Sequence, residues 1–205
     1  MEQISQNRIV TRERWLTARK QLLDKENELM RLRDQLLAER RRLPWVRITK
    51  EYIFDGPEGE ETLADLFGSC SQLIINHFMF APGWEEACRN CSFAVPAGSA
   101  LLHQEPSDIS YVAVSRAPFR KIYAFSKRMG WRFKWVSSFG REFNYDFHVS
   151  FTKEELSKGE AYYNFSLQKI RSEEAPGLSV FYKDESGEIF HTYSAYGVGV
   201  EEWVG

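Results

Sequence analysis

The stretch LIINHFMF at residues 73–80, followed by CRNC at residues 88–91, decides the fold that we predict. The first segment is an almost unbroken apolar run, which is typical of a strand buried on both faces. The second carries two cysteines three positions apart, and thiols at this spacing can meet in one turn and form a reversible disulfide. A strand that delivers two thiols to the start of the next segment suits a dithiol redox site, although the same spacing also serves zinc.

The composition predicts a globular protein with an aromatic-rich core. The chain has 205 residues, of which 43% are hydrophobic and 15% aromatic, enough for one good-sized domain plus an extension. No apolar run approaches the roughly 18 residues of a membrane span, and the first eight residues lack the apolar stretch of a signal peptide. We therefore expect a cytoplasmic protein, in which a CxxC pair is more often catalytic or metal-binding than structural.

The charge is unevenly distributed, with a basic first fifty residues and an acidic remainder, within a net charge of −2. Acids alternate with the bases of the first segment in a helical pattern, so we interpret this segment as a solvated helix face. We expect neither a nucleic-acid partner nor a membrane partner.

The N-terminal segment, residues 11–43, is predicted to form one long helix, with Thr11 as N-cap and Pro44 as the stop. Its apolar side chains recur every seven residues: Trp15, Leu22, Leu29, Leu36 and Leu43. Two interpretations remain open for this stripe, a helix laid across its own domain or a homodimer formed through residues 11–43. We assign residues 1–44 to this amphipathic helix and residues 45–205 to a separate domain.

The pattern changes at residue 46 to alternating strands and helices. We predict a short helix over 62–67, a second over 119–129 that ends at Gly130, and strands over 46–54, 73–80, 109–115, 178–182 and 189–193, the last two paired as a hairpin. This order is that of an α/β fold with a mixed sheet.

The order of elements and several motifs carry a resemblance to known proteins. A dithiol after a buried strand, with Pro176 just before the strand that opens the hairpin, resembles the thioredoxin fold. More specifically, FMFAPGWEE at 78–86, VAVSRAP at 112–118 and WVSSFG at 135–140 resemble the bacterial family named domain of unknown function eight-nine-nine, whose members are thioredoxin-like dithiol–disulfide oxidoreductases. The resemblance covers nearly the whole chain. It implies a thioredoxin-like three-layer sandwich with a mixed central sheet and a long N-terminal helical extension.

The resemblance also implies roles for individual residues. Cys88 is expected at a helix start as the attacking thiolate, Cys91 as the resolving thiol, and Pro176 as a cis-proline that faces them. From the residues themselves, Arg89 adds a cation that favours the thiolate and Glu85 and Glu86 oppose it, and the sequence leaves the balance open. Trp84 either forms the rim of a substrate groove or caps the core. The implied function is a thioredoxin-like thiol–disulfide oxidoreductase, with a disulfide-containing protein or small molecule as substrate and an external reductant.

Other interpretations of the cysteine pair stay open. Tetrahedral zinc needs four ligands, and no second pair with ligand spacing accompanies the CxxC. The remaining candidates are Cys70, His77, His103, His148 and His191. The pair could instead be an inactive packing element of an interaction module that uses its N-terminal helix. We expect no cofactor, because the chain lacks a glycine-rich phosphate loop, and we interpret His77 as a core histidine because apolar residues surround it.

Two features depart from related redox proteins. Residues 94–100 contain Pro96 and Gly98, so their helix propensity is poor and the sequence leaves open whether they form a full helix. Thioredoxins carry a kinking proline at a similar distance after the second cysteine, which favours tolerance of Pro96. Position 85 is Glu, whereas the peroxidase arrangement of peroxiredoxins has a Thr three residues before the reactive cysteine. We therefore do not expect a peroxiredoxin-type site.

Overall fold

The structure, a computed structural model, describes residues 9–102 and 108–197, with side chains described outside residues 97–102. The chain separates into two compact units, Met1–Leu43 and Pro44–Gly205. No helix in the described part is long and apolar enough to cross a membrane.

The first unit contains the predicted N-terminal helix, α1 (Arg12–Arg40). Thr11 is its N-cap, since the Thr11 side chain accepts the N–H of Arg14 at 3.4 Å, and the helix ends shortly before Pro44. Both the helix and its N-cap are therefore confirmed.

The second unit is built on a mixed sheet. Its strands are β1 (Val46–Arg47), β2 (Ile53–Gly56), β3 (Gly59–Thr62), β4 (Gln72–His77), β5 (Ile109–Ser115), β6 (Lys134–Ser137), β7 (Glu160–Tyr163), β8 (Ser166–Lys169), β9 (Gly177–Lys183) and β10 (Ile189–Tyr196). Its helices are α2 (Arg89–Leu102), α3 (Phe119–Met129), α4 (Phe143–Asp146) and α5 (Lys153–Lys158). The main sheet has the order β1-β10-β9-β4-β5-β6-β2-β3, and β7 pairs with β8 separately. The strands β4, β5 and β6 are parallel, β9 pairs antiparallel with β4, and β10 pairs antiparallel with β9.

A hydrophobic cluster covers each face of this sheet, which produces the three layers that we predicted. One cluster joins Leu73 and Ile75 of β4 to Phe143 of α4. The other joins Ala113 of β5 to side chains of α2 and α3, among them Val95 and Ile122. Alternate residues of the central strands point to opposite faces, so the apolar run of β4 is buried on both sides.

The prediction of one strand over 46–54 is wrong. The segment forms two separate strands, β1 and β2, which lie toward opposite edges of the sheet. β1 pairs with β10, whereas β2 pairs with β3 and β6. The predicted helix over 62–67 is also too long: a single 3₁₀ turn spans Asp65–Phe67. Thr62, the first residue of the predicted helix, belongs to β3 instead. The Asp65 carboxylate accepts hydrogen bonds from the Thr62 N–H and hydroxyl at 2.8 and 2.7 Å.

The doubt about residues 94–100 is resolved in favour of a helix, since α2 continues through Pro96 to Leu102. Proline removes one helical hydrogen bond and strains the preceding turn. Cys91 and Val95, four residues apart, are both buried against the sheet on the same face of α2. Tertiary packing of this face offsets the poor local propensity.

Candidate active site

The two cysteines of the CxxC pair lie at the carboxyl end of β4, at the start of α2. The N–H of Cys88 donates to the Met79 carbonyl at 3.0 Å, which ties Cys88 to the segment that leaves β4. The Cys88 carbonyl accepts the N–H of Ser92 at 2.9 Å, the first turn of α2. Cys88 thus sits where free backbone N–H groups of a helix point toward an anion.

The two thiols differ in exposure and in acidity. Both are free; Cys88 is half-buried, and Cys91 is buried with 7% of its surface exposed. A hydrogen bond from the Cys91 thiol, with those from the backbone N–H groups of Cys91 and Asn90, outweighs partial burial and lowers the pKa of Cys88 from 9.0 to about 6. The same hydrogen bond, together with burial, raises the pKa of Cys91. A thiolate at Cys88 and a protonated Cys91 follow.

The predicted substrate-contacting residues surround this pair. Arg89 is exposed at the first position of α2, and hydrogen bonds rather than its charge lower the pKa of Cys88. Trp84 is half-buried, packs against the cluster that contains Cys91, and donates its backbone N–H to Ala81 at 3.1 Å. Trp84 therefore packs against the core while part of the residue stays exposed.

Pro176 lies at the same end of the sheet as the cysteines. The next residue, Gly177, pairs with His77 at the end of β4, and the Pro176 carbonyl accepts the hydroxyl of Tyr163 at 2.7 Å. Burial raises the pKa of Tyr163 to about 12. The expected cis bond is wrong: the Ala175–Pro176 bond is trans, the form that is lower in energy for an X–Pro bond without a tertiary constraint.

An ion pair that sequence reasoning missed lies beside Pro176. The Nε of Arg116 donates to the Oε1 of Glu174 at 2.6 Å, and Ser150 donates to the other carboxylate oxygen at 2.7 Å. Arg116 is 9% exposed and Glu174 3%. Burial raises the pKa of Glu174 to about 7, against the opposing charge of Arg116. The signal was two charged residues at positions that the resemblance singles out, Arg116 within VAVSRAP and Glu174 two residues before Pro176.

His77 is a core histidine, as predicted. Its Nε2 lies 2.9 Å from the Ser179 hydroxyl, and its ring stacks on Phe143. Burial lowers its pKa to about 3, so the ring is neutral.

No group of three or more metal-ligating side chains occurs within residues 9–102 and 108–197. Of the four histidines considered as zinc ligands, His103 lies outside the described residues. The described residues thus provide no further ligands that would complete a metal site around the cysteine pair.

Comparison with known proteins identifies a family and a fold. The family model described as "Bacterial protein of unknown function (DUF899)" matches residues 4–205. No curated protein matches the chain.

Solved structures similar to this chain include three of peroxiredoxin Q from Xanthomonas campestris, two of them cysteine-to-serine mutants. The three are 18%, 16% and 17% identical to this chain, each with a TM-score of 0.50, and the alignments cover 73% of this chain and 82% of theirs. At this identity the likeness concerns the fold alone, and it confirms the predicted thioredoxin-like architecture.

Proposed function

We propose, from the premise that the chain belongs to the DUF899 family of bacterial proteins, that it is a thiol–disulfide oxidoreductase acting through Cys88 and Cys91. The observation that carries the proposal is the geometry of the pair: two free thiols at a helix start, one half-buried and the other buried. This asymmetry suits an attacking thiolate and a resolving thiol.

The exchange begins at Cys88. Its thiolate attacks one sulfur of a substrate disulfide, a Cys88–substrate bond forms, and the other substrate sulfur leaves as a thiolate. Cys91 then gives its proton to the released substrate thiolate and attacks the Cys88 sulfur, which forms the Cys88–Cys91 disulfide and releases the second substrate sulfur as a thiolate. Two electrons pass to the substrate, and an external dithiol reductant returns the pair to its reduced form.

The mutual hydrogen bond gives this sequence its order. While Cys88 is a thiolate, its charge and the hydrogen bond keep Cys91 protonated. Formation of the mixed disulfide removes that charge, so the Cys91 proton becomes easier to lose when Cys91 must attack.

In this proposal Trp84 and Arg89 contact the substrate beside Cys88, and Pro176 faces the pair in its trans form. The setting is the reducing cytoplasm expected from the sequence.

Insulin reduction tests the proposal. We expect the reduced protein to reduce insulin disulfides, Cys88→Ser to abolish the reaction, and Cys91→Ser to accumulate a mixed disulfide that mass spectrometry detects. Cys70→Ser is the matched control and should retain activity, because Cys70 lies outside the pair. Absence of insulin reduction by reduced wild type would overturn the proposal, and an ordinary pKa at Cys88 would remove its physical basis.

The alternative is a non-catalytic interaction module that uses α1. Its support is the seven-residue apolar spacing of the N-terminal helix, which has no second described element in its own unit to pack against. In this alternative the helix pairs with a second copy of the chain, and the thiols are packing elements.

A zinc assay on freshly purified protein tests the remaining interpretation, a metal site at the cysteine pair.

A further inference from the structure

The Arg116 guanidinium contacts two elements that are distant in sequence. On one side it contacts both carboxylates before Pro176, with Nη2 3.0 Å from Glu173 and 2.6 Å from Glu174. On the other side Nη1 donates to the hydroxyl of Tyr145, and the guanidinium carbon lies 5.0 Å from the centre of that ring. The planar fork of arginine can serve these partners together, whereas a single ammonium cannot.

The backbone around Arg116 holds the segment that leads to the thiols. The N–H of Ala117 donates to the Phe80 carbonyl at 2.8 Å, and the N–H of Phe78 donates to the Val114 carbonyl at 2.9 Å. The Ser115 hydroxyl also donates to the Phe78 carbonyl at 2.5 Å. Because Met79 lies between these residues and accepts the N–H of Cys88, the end of β5 fixes the loop that carries the pair.

Glu174 belongs to the segment that carries Pro176. The N–H of Ala175 donates to the Val149 carbonyl at 2.8 Å, and Ser150 holds the Glu174 carboxylate. Arg116 is thus a side-chain link between this segment and the loop that holds Cys88.

A buried ion pair is a poor source of net stability, because desolvation of both charges offsets their attraction. A buried pair with further hydrogen bonds does define where its two segments lie. We propose that Arg116, through Glu174, is a positioning residue that sets the Pro176 segment against the loop of Cys88, so that a bound disulfide meets the thiolate in line. This inference rests on the proposed thiol–disulfide exchange.

The test separates the reactivity of the thiolate from the placement of a substrate. In the double variant Arg116→Met/Glu174→Gln both charges are removed, so no unpaired charge is left buried. Reaction with iodoacetamide needs only the thiolate, and we expect its rate to stay within about twofold of wild type. Insulin reduction also needs the Pro176 segment in place, and its kcat/KM should fall by on the order of tenfold.

Two further variants complete the experiment. Arg116→Lys keeps a charge but loses the fork, and we expect a smaller loss of insulin reduction with unchanged alkylation. Arg141→Met is the matched control, since Arg141 pairs with Asp55 and Glu60 of the β2–β3 hairpin instead. This control should keep the wild-type rate of insulin reduction.

The outcomes distinguish the two proposals. If wild type does not reduce insulin, the proposed function fails and the positioning role fails with it. If wild type is active and either the double variant or Arg116→Lys reduces insulin at the wild-type rate, the positioning role alone is overturned. It is also overturned if alkylation falls in parallel with insulin reduction in Arg116→Lys, because Arg116 would then act on the thiolate itself.

Discussion

The thiol of Cys88 owes its acidity to hydrogen bonds that a short segment supplies. Its partners are the Cys91 thiol and two backbone N–H groups of α2, all within three positions in sequence. The spacing of the two cysteines in the sequence predicts that these groups lie close together. How far they lower the pKa of Cys88 depends on burial, which the spacing does not give. The half-buried position of Cys88 opposes the thiolate and makes the hydrogen bonds stronger than they would be in water.

Removal of the Cys91 thiol should weaken the thiolate at Cys88. In Cys91→Ala the largest contribution to the low pKa is lost, so the pKa should rise from about 6 toward its ordinary value of 9.0. The pH dependence of iodoacetamide reaction, or of ultraviolet thiolate absorbance, measures it. Cys70→Ala should leave the midpoint unchanged, and a midpoint near 6 in Cys91→Ala would contradict the assignment.

The buried His77 should make the protein sensitive to acid. Its pKa in the folded chain is lowered from 6.5 to about 3 by burial. Below pH 6.5 the unfolded chain therefore binds a proton that the folded chain does not, and stability is lost as pH falls toward 3. Between pH 7 and pH 5 the expected loss from this group is about 2 kcal/mol.

A comparison of wild type with His77→Gln isolates this contribution. The free energy of unfolding, from urea titrations at both pH values, should fall by about 2 kcal/mol less in the variant. The pKa of Glu174 is raised to about 7, so protonation of Glu174 stabilises the folded protein as pH falls toward the ordinary pKa of 4.5. This contribution is the same in both proteins and cancels in the comparison. Equal losses in the two proteins would show that His77 does not titrate in this way.

At the scale of the elements, local signals located most of the helices and strands around the site. The strand over 109–115, the helix over 119–129 and its end at Gly130 agree with the predictions, and the structure adds that Gly130 is left-handed. Short elements with little apolar periodicity, such as β3 and β7, were missed. β7 depends on its pairing with β8 rather than on a pattern of its own, and pairing partners are not visible in a local window.

The first residue of β9 should tolerate no side chain. A Cβ at Gly177 would lie 2.8 Å from Val149 Cγ1 and 3.0 Å from Tyr196 Cδ1. Gly177 cannot shift easily, because it pairs with His77 on one side and Tyr196 on the other. Gly177→Ala should lower the free energy of unfolding by about 1–3 kcal/mol in a denaturant titration.

Gly83→Ala is the matched control for this substitution. Gly83 lies in the exposed loop before the dithiol, and a Cβ there would meet nothing within 4 Å. Its stability should remain within about 0.5 kcal/mol of wild type. If Gly177→Ala were as stable as this control, the close packing at the start of β9 would be wrong.

At the scale of the whole molecule, the chain consists of a helical unit and a unit that holds both hydrophobic clusters. The second unit therefore has its own core. The role of the first unit depends on what covers its apolar stripe, which the periodicity alone leaves open between its own domain and a second copy.

Deletion of residues 1–43 should separate these roles. We expect residues 44–205 to keep a cooperative thermal transition and insulin reduction, because both clusters and the dithiol lie there. If α1 pairs with a second copy, the mass in solution falls from two chains to one on deletion. A full-length protein that is already a monomer would contradict the homodimer.

The sequence by itself determined the order of the main elements and the position of the thiol pair. Apolar periodicity, caps and cysteine spacing are properties of neighbouring residues, and they act before any distant contact forms. Only the tertiary structure decided that residues 46–54 form two strands toward opposite edges of the sheet and that α2 continues through Pro96. It also decided that Arg116 meets Glu174, 58 positions away. Each of these depends on which surfaces lie together in three dimensions, and burial there outweighs local preference.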